Sequence, residues 1–232
     1  MRQIIDRFIY LASPRVHNRT MTTNDTRDRD GIVGGALTVA LLITLAVQNA
    51  VPPMATDMYS AAFPQITVDL ATNSTMLGFT LTTFFVGFAS GQVLGGAISD
   101  QIGRRRPIIA GGIIALVGSI ICVFTPGIWV LLVGRVFQGL GGGVASSVGR
   151  AILVDVAHGK TLARAMSLLQ AIVGFAPMLA PVLGAFIITH ATWRVVFWAL
   201  AAFTLLMAAL AWFVVPESLP EDRRHPGGIP RF

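Results

Sequence analysis

The chain contains 232 residues, of which 54% are hydrophobic and 12% are charged. A soluble domain usually has about twice that charged fraction, so the composition excludes an ordinary soluble protein and indicates an integral membrane protein. We interpret the formal net charge of +6 as a sign of topology and of contact with anionic lipids, not of nucleic-acid binding. The single cysteine, Cys122, excludes a disulfide within the chain.

Residues 1–30 carry six Arg and four Asp residues and lack the uninterrupted apolar core of a cleaved signal peptide. Two interpretations are open for this segment. Ile4, Phe8 and Ala12 could share one face of a weak membrane-surface helix. Alternatively, the segment is a disordered cytoplasmic tail.

Six long apolar runs follow, and a run of about 18 or more uncharged residues predicts a membrane span. The predicted spans cover residues 31–58, 74–99, 107–124, 128–155, 162–189 and 195–215. Pro52 and Pro53 are expected to kink or locally unwind the first span. We predict a short outer loop over residues 61–73, with Ser74 capping the second span. The predicted organisation is a tail over residues 1–30, a six-helix bundle over 31–215, and a tail or central linker over 216–232.

The basic residues fix the predicted orientation. Arg104, Arg105 and Arg106 follow the second span directly, and three adjacent guanidinium groups do not cross a bilayer. With both termini on that side, all of the 17 Lys and Arg residues except Arg135 and Arg194 also fall there. The sequence therefore predicts a multi-pass protein of the cell inner (plasma) membrane with both termini in the cytoplasm.

Small residues predict how the spans touch. In the second span Gly87, Gly91, Gly95 and Ser99 are spaced by four, so they form one smooth stripe on a helix. The fourth span is also rich in glycine. Such surfaces let helix backbones approach closely in lipid, which predicts a tightly packed bundle.

A charged residue inside a span costs about 2.5 to 3.5 kcal/mol on insertion scales and is a candidate functional group, and two such residues stand out. Asp57 follows the proline pair, and its protonation could be coupled to transport in a partly wet cavity. Its alternative role is to anchor the helix end at the interface. Arg135 could set the field around the proton site, or it could be a structural donor to backbone carbonyls of the first or second span.

Short motifs occur in order along the chain. The loop after the second span has the sequence Gly96-x-x-x-Asp100-x-x-Gly103-Arg104-Arg105. The other motifs are Thr56-Asp57-Met58-Tyr59, Arg135-x-x-Gln138-Gly139, Ala176-Pro177-x-x-Ala180-Pro181-x-x-Gly184, Trp193-Arg194-x-x-Phe197-Trp198 and Pro216-Glu217-Ser218-Leu219-Pro220. Together they resemble the motifs of the major facilitator superfamily, and specifically of drug:proton antiporters of its bicyclomycin and chloramphenicol resistance branch.

The resemblance implies an all-α membrane protein in which this chain forms the N-terminal six-helix bundle. Members of this superfamily have about twelve spans in two halves, with the solute site between the halves. The implied partners are a small-molecule substrate, protons, the lipid bilayer, and a missing C-terminal half or second subunit. The chain could accordingly be a fragment, a truncated product or one subunit of a two-part assembly.

The resemblance also assigns roles to individual residues. The proton-coupling and substrate cavity would include Asp57, Tyr59, Arg135 and Gln138. A cytoplasmic gate would be formed by the loop residues Gly96, Asp100, Gly103, Arg104 and Arg105, with Asp155 from the fourth span. Pro177, Pro181 and Gly184 would shape the fifth span for packing against the other half. The alternative for the gate is a set of ordinary exposed ion pairs, each worth less than about 1 kcal/mol.

The implied function is the efflux of small amphipathic drug-like molecules, including cations, by alternating access. A proton gradient would drive this transport, and the resemblance implies no cofactor and no metal. An uptake carrier of the same fold and a truncated, non-transporting membrane subunit are the alternatives. The four His residues are scattered in tails and loops, so we do not expect an enzyme. Ala176, Ala180 and Ala185 stand where the broader antiporter motif has Gly, which leaves open whether the transport is antiport or symport. Ser60-Ala61 stands where the branch usually has a Leu-Pro pair, which leaves the kink after Asp57 open.

Overall fold

The computed structural model describes residues 39–219 and Arg224. Over this range the chain forms seven helices: α1 Val39–Ser60, α2 Phe63–Asp69, α3 Ser74–Ile102, α4 Arg105–Val123, α5 Ile128–Val156, α6 Gly159–His190 and α7 Trp193–Val214. All except α2 are long and apolar enough to cross a membrane. The predicted all-α bundle of six spans is confirmed. The predicted N-terminal tail, the start of the first span and most of the C-terminal tail lie outside the described residues.

Local details of the first two spans differ from the predictions. α1 is helical through both Pro52 and Pro53, so it does not unwind there, and the alternative, a kink, stays a prediction. The predicted outer loop contains α2, whose first turn holds Pro64, a residue whose fixed φ suits that position. The cap of α3 is Asn73, whose side-chain oxygen accepts a hydrogen bond of 2.9 Å from the backbone N–H of Met76.

Glycine residues let α5 pack directly on α3 and α4. An added Cβ at Gly139 or Gly143 would overlap a backbone carbonyl of α3, and one at Gly141 would overlap the backbone of α4. On α3, the predicted stripe of Gly87, Gly91, Gly95 and Ser99 is buried. Since backbones meet without intervening side chains, α5 is held rigidly between its two neighbours.

α6 packs on α1 along a single row of residues. That row comprises Ala165, Leu169, Ala176, Ala180 and Gly184, which are buried. The rest of α6 is largely exposed and apolar, with Phe175, Met178 and Phe186 more than 60% exposed. α6 is therefore covered on one side only within this chain.

The end of the bundle that holds the three adjacent arginines is called the arginine-rich end below. There α3 and α4 are joined by only Gly103 and Arg104, and Gly103 has a φ of +97°, a conformation that glycine adopts without a steric cost. This tight connection places the start of α4 beside the end of α3.

Candidate functional site

The gate cluster lies at the arginine-rich end and is centred on Arg104. Nη1 of Arg104 is 2.5 Å from Oδ1 of Asp100, and Nε is 2.9 Å from Oδ2 of Asp155. Nη1 also donates to the hydroxyl of Ser99 at 2.7 Å. The Arg104 side chain is only 10% exposed. One guanidinium thus ties the end of α3 to the end of α5, which brings together the three charged residues that the family resemblance assigns to the gate.

Glu217 and Ser218 complete the gate cluster from the segment after α7. Oε1 of Glu217 accepts hydrogen bonds from the backbone N–H groups of Arg104 at 2.8 Å and Leu219 at 3.2 Å, and the hydroxyl of Ser218 donates to Asp155 at 3.2 Å. Glu217 therefore satisfies donors at the start of α4 and places negative charge at the positive end of that helix. Sequence analysis had assigned this segment only to the end of the sixth span.

Two opposing effects act on the Arg104 guanidinium. Burial by itself lowers the pKa of Arg104, but the hydrogen bonds and charges of Asp155 and Asp100 outweigh it and raise the pKa above its ordinary value. Arg104 therefore stays charged at every biological pH.

A second buried guanidinium, that of Arg135, lies within the bundle and has a different environment. It is fully buried, donates to the backbone carbonyl of Ala55 at 2.9 Å and to Oε1 of Gln138 at 2.6 Å, and stacks between two aromatic rings. Its Cζ lies 4.6 Å from the centre of the Tyr59 ring and 4.4 Å from that of Phe84. Among the described residues, no atom accepts a hydrogen bond from its Nε or Nη2.

Arg135 and the residues that contact it, Tyr59, Phe84 and Gln138, are called the Arg135 cluster below. Hydrogen bonds connect this cluster across α1, α3, α4 and α5. The Tyr59 hydroxyl of α1 is 2.8 Å from the Thr80 hydroxyl of α3, and Gln138 donates to the Ser119 hydroxyl of α4 at 2.8 Å. The predicted group of Tyr59, Arg135 and Gln138 is thus brought together. The donor bond to Ala55 also matches the structural alternative for Arg135, since the acceptor is a backbone carbonyl of the first span.

Asp57 lies on α1 near these residues but outside the Arg135 cluster. It is half-buried, and its Oδ1 accepts a hydrogen bond of 3.1 Å from the hydroxyl of Thr56. The described contacts of Arg135 do not include this carboxylate. A direct ion pair between the two charged residues is therefore not part of the site.

An open cavity of about 360 Å³ lies on the face formed by α1, α3, α5 and α6. Thr56 lies on its wall, next to Asp57 in the chain, and the proline pair forms part of the same wall. The other walls carry phenyl rings, amides and one guanidinium, from the residues Phe85, Phe88, Gln92, Arg150 and Gln170. The described lining includes no Asp or Glu. The cavity can therefore offer hydrogen-bond donors, aromatic surface and positive charge.

Arg150 is the functional candidate that sequence analysis missed. Its Nη1 is 3.4 Å from the hydroxyl of Ser146, which donates to the side-chain oxygen of Asn49 at 2.9 Å. The charge census had placed Arg150 with the cytoplasmic basic residues. In the structure it lies six residues before the end of α5 and lines the cavity, a position that only the packing of α1 against α5 reveals.

The remaining motif residues divide between the inside and the outside of the bundle. An added Cβ at Gly96 would meet open space, but the Gly96 carbonyl accepts a hydrogen bond of 2.9 Å from the Ser99 hydroxyl that Arg104 contacts. Pro177 and Pro181 are exposed, and Pro177 lines the cavity. Gly184, by contrast, packs on the backbone of Met58 and the side chain of Ala61. Gly184 therefore packs on α1 within this chain, and the packing of the proline-bearing face of α6 against a second half stays a prediction.

A different set of contacts joins the helices at the end of the bundle opposite the gate cluster. The indole N–H of Trp193 donates to Oδ2 of Asp69 at 2.7 Å, and Nη1 of Arg194 is 3.5 Å from the same oxygen. The backbone N–H of Trp193 also donates to the side chain of Gln65 at 2.9 Å. α2 is thereby held against the start of α7.

Comparison with known proteins agrees with this architecture. A family model described as Major Facilitator Superfamily matches residues 32–230. The chain belongs to the major facilitator superfamily. An uncharacterised MFS-type transporter, YdgK of Bacillus subtilis, is 33% identical over 193 residues, which is 82% of this chain and 48% of the relative.

Two further relatives of the superfamily have names that refer to drugs. The multidrug resistance protein MdtL of Escherichia coli is 32% identical over 72% of this chain and 43% of its own length. A bicyclomycin resistance protein homolog of Haemophilus influenzae is 29% identical over 82% of this chain and 48% of its own length. The chain thus spans about half the length of the curated relatives it matches.

Solved structures of superfamily members share the fold. The proton:xylose symporter XylE superimposes with a TM-score of 0.69 at 17% identity, over 82% of this chain and 46% of the symporter. A human organic anion transporter superimposes with a TM-score of 0.65 at 16% identity, over 81% of this chain and 50% of its own. At such identities the likeness concerns the fold alone.

Proposed function

We propose that this chain is the N-terminal half of an exporter of small amphipathic molecules, driven by protons and located in the inner (plasma) membrane with the arginine-rich end in the cytoplasm. The observation that carries the proposal is the open cavity walled by α1, α3, α5 and α6. It lies between the Arg135 cluster and the gate cluster along α5, and solute sites of this architecture lie at the interface of two such halves. The relatives named for multidrug and bicyclomycin resistance support export as the direction.

The positions of the charged residues suggest which step of the transport cycle each of them carries out. Asp57 would take up and release the proton, since it is the half-buried carboxylate adjacent to the cavity wall at Thr56. Arg135 would act at a distance, as a fixed positive charge in a low-dielectric site. The gate cluster would hold the cytoplasmic side shut while the cavity is open to the other side.

The lining of the cavity suggests a substrate class. Arg150 and two amides offer donors, and the described walls lack a carboxylate that could neutralise a cation. The cavity half therefore suits molecules that combine an aromatic or aliphatic body with oxygen acceptors or a carboxylate. Cationic substrates would need a carboxylate from the second half of the transporter.

An uptake carrier is the second candidate, because XylE, which shares the fold, is a proton symporter. Radiolabelled chloramphenicol in energised inverted vesicles distinguishes the two. The chain is expressed alone and within the longest reading frame that contains it. Export predicts proton-dependent accumulation in the inverted vesicles, whereas an uptake carrier moves solute the other way. Absence of flux in every form would contradict the transport proposal.

The Asp57→Asn variant tests the proton site in whichever form transports. We expect it to lose proton-driven flux while retaining exchange down a substrate gradient, because a neutral side chain cannot carry the proton. Asp69→Asn is the matched control, since it removes one carboxylate charge from the same end of the bundle. Unchanged proton-driven flux in Asp57→Asn would assign proton coupling to another group.

A further inference from the structure

A pocket of about 400 Å³ lies at the arginine-rich end, outside the cavity described above, between the start of α4 and the end of α7. Its wall carries the guanidinium groups of Arg105, Arg106 and Arg224, and the one carboxylate of its described lining is that of Glu217. Arg105 and Arg106 are exposed, and against that single carboxylate they give the described lining a surplus of positive charge. An anion is the kind of ligand that such a surplus favours.

The carboxylate in this pocket is already engaged by backbone donors. Its two oxygens accept from the N–H groups of Arg104, Arg105 and Leu219 at 2.8, 3.4 and 3.2 Å. Arg105 in turn donates through Nη2 to the backbone carbonyl of Trp212 at 3.0 Å, which orients its guanidinium. Since a guanidinium carries five N–H donors, this single bond fixes the group while further donors face an incoming anion.

The rest of the pocket is apolar and matches the level of a membrane surface. Ile102 and Ile109 line it, and the Trp212 side chain is 56% exposed near the end of α7. Tryptophan is enriched where the hydrocarbon core meets the headgroups, because its ring is apolar and its N–H is polar. The pocket therefore lies where a lipid headgroup would lie.

An apolar groove continues from this pocket along the bundle. The groove has a volume of about 240 Å³, shares Ile102 and Arg106 with the pocket, and runs past Ile98, Ala110 and Ile114 between α3 and α4. A free phosphate ion would use the pocket and leave the groove empty. A phospholipid would fill both, with its phosphate at the arginines and an acyl chain in the groove.

We propose that this pocket and groove together bind one anionic phospholipid of the leaflet at the arginine-rich end. The phosphate is held by Arg105 and Arg106, and one acyl chain lies between α3 and α4. A zwitterionic headgroup fits less well, because its ammonium group would face the arginines while Glu217 is occupied. The site borders the start of α4, so the bound lipid would stabilise the gate cluster by contact from outside the bundle.

The test uses the purified chain in a neutral detergent and native mass spectrometry. Phosphatidylglycerol is compared with phosphatidylcholine of identical acyl chains. We expect one phosphatidylglycerol retained per chain in preference to phosphatidylcholine. Arg106→Gln should weaken this binding about fivefold, the contribution of one basic residue near a charged lipid surface. Arg164→Gln, which removes an exposed arginine of α6, is the matched control and should leave the binding unchanged.

Two further measurements separate a lipid site from an ion site. Ala110→Phe fills the groove and leaves the arginines in place, so it should weaken lipid binding without changing the binding of inorganic phosphate. Far-UV circular dichroism checks that each variant stays folded. Equal losses in Arg106→Gln and Arg164→Gln, no preference for phosphatidylglycerol, or full displacement of the lipid by millimolar phosphate would overturn the proposal.

Discussion

Two buried arginines of the described part of the chain lie in opposite electrostatic environments. Arg104 bonds two carboxylates and a hydroxyl at the arginine-rich end, whereas Arg135 has a carbonyl, an amide oxygen and two aromatic rings inside the bundle. A buried charge is costly unless it is paired, so an arginine that has no carboxylate partner among the described residues is poorly suited to a purely structural role. The comparison suggests that Arg104 holds elements together and that Arg135 is kept for its charge.

Replacing Arg135 by Met should have the largest effect and should affect transport rather than folding. We expect proton-driven flux to fall by tenfold or more, about 1.4 kcal/mol at the least, since the fixed charge near Asp57 is lost. The unfolding temperature should change by less than about 3 °C, because an apolar side chain of similar volume removes the cost of the buried charge together with its bonds.

Tryptophan fluorescence during heating in detergent measures the stability of Arg135→Met, and flux in vesicles measures its activity. Arg135→Lys serves as the control, since it keeps the charge and loses the planar donor pattern. A large fall in unfolding temperature for Arg135→Met with flux retained would reverse the roles assigned to the two arginines.

Replacing Arg104 by Met should instead destabilise the chain. Asp155, whose side chain is only 20% exposed, would lose its cation, and we expect a loss of about 2 kcal/mol, or a fall of about 4 to 8 °C in unfolding temperature. Adding Asp155→Asn to this variant should recover part of the loss, because no carboxylate is then left without a partner. Strictly additive effects in this double-mutant cycle would show that the pair is not coupled.

Arg150 lies between the two clusters along α5 and tests whether the cavity selects its ligands by charge. Arg150→Gln should weaken inhibition of chloramphenicol flux by phenylbutyrate about tenfold, which corresponds to the loss of one hydrogen bond to a charged group. Inhibition by the uncharged phenylbutanamide should change little. Equal effects on both inhibitors would indicate that Arg150 acts on the conformation and not on the ligand.

The smallest effects are expected from two isosteric changes at opposite ends. Glu217→Gln keeps one acceptor oxygen but places an amide N–H₂ against the N–H of Arg105, so we expect a loss of about 1 kcal/mol. Asp69→Asn keeps an acceptor for the Trp193 indole and loses only a half-exposed pair, worth less than about 0.5 kcal/mol. Thermal unfolding of both variants ranks them, and the opposite order would contradict the role given to Glu217.

Sequence reasoning located those features that depend on spacing within one helix or one loop. Asp100 and Arg104 are four residues apart, and Asp155 ends a span on the same side, so the core of the gate cluster followed from topology. The glycine stripe of α3 was visible for the same reason. Lipid-exposed and buried apolar residues have the same composition, however, so the pattern could not show which face of α6 meets α1.

Features that depend on contacts distant in the chain were not predictable. Glu217 lies 113 residues from the backbone group it caps, and only the adjacency of α4 and α7 brings them together. Arg150 was counted with the cytoplasmic basic residues, although the orientation of α5 in the bundle places it in the lining of the cavity. α2 was missed because seven residues between spans carry too little periodicity to be distinguished from a loop.

The contacts of Glu217 and Ser218 also have a mechanical consequence. Both residues follow α7 directly, and they bond Arg104 and Asp155. The segment over residues 215–219 is therefore anchored to the gate cluster, and a force applied at residue 219 reaches these hydrogen bonds before it reaches α7.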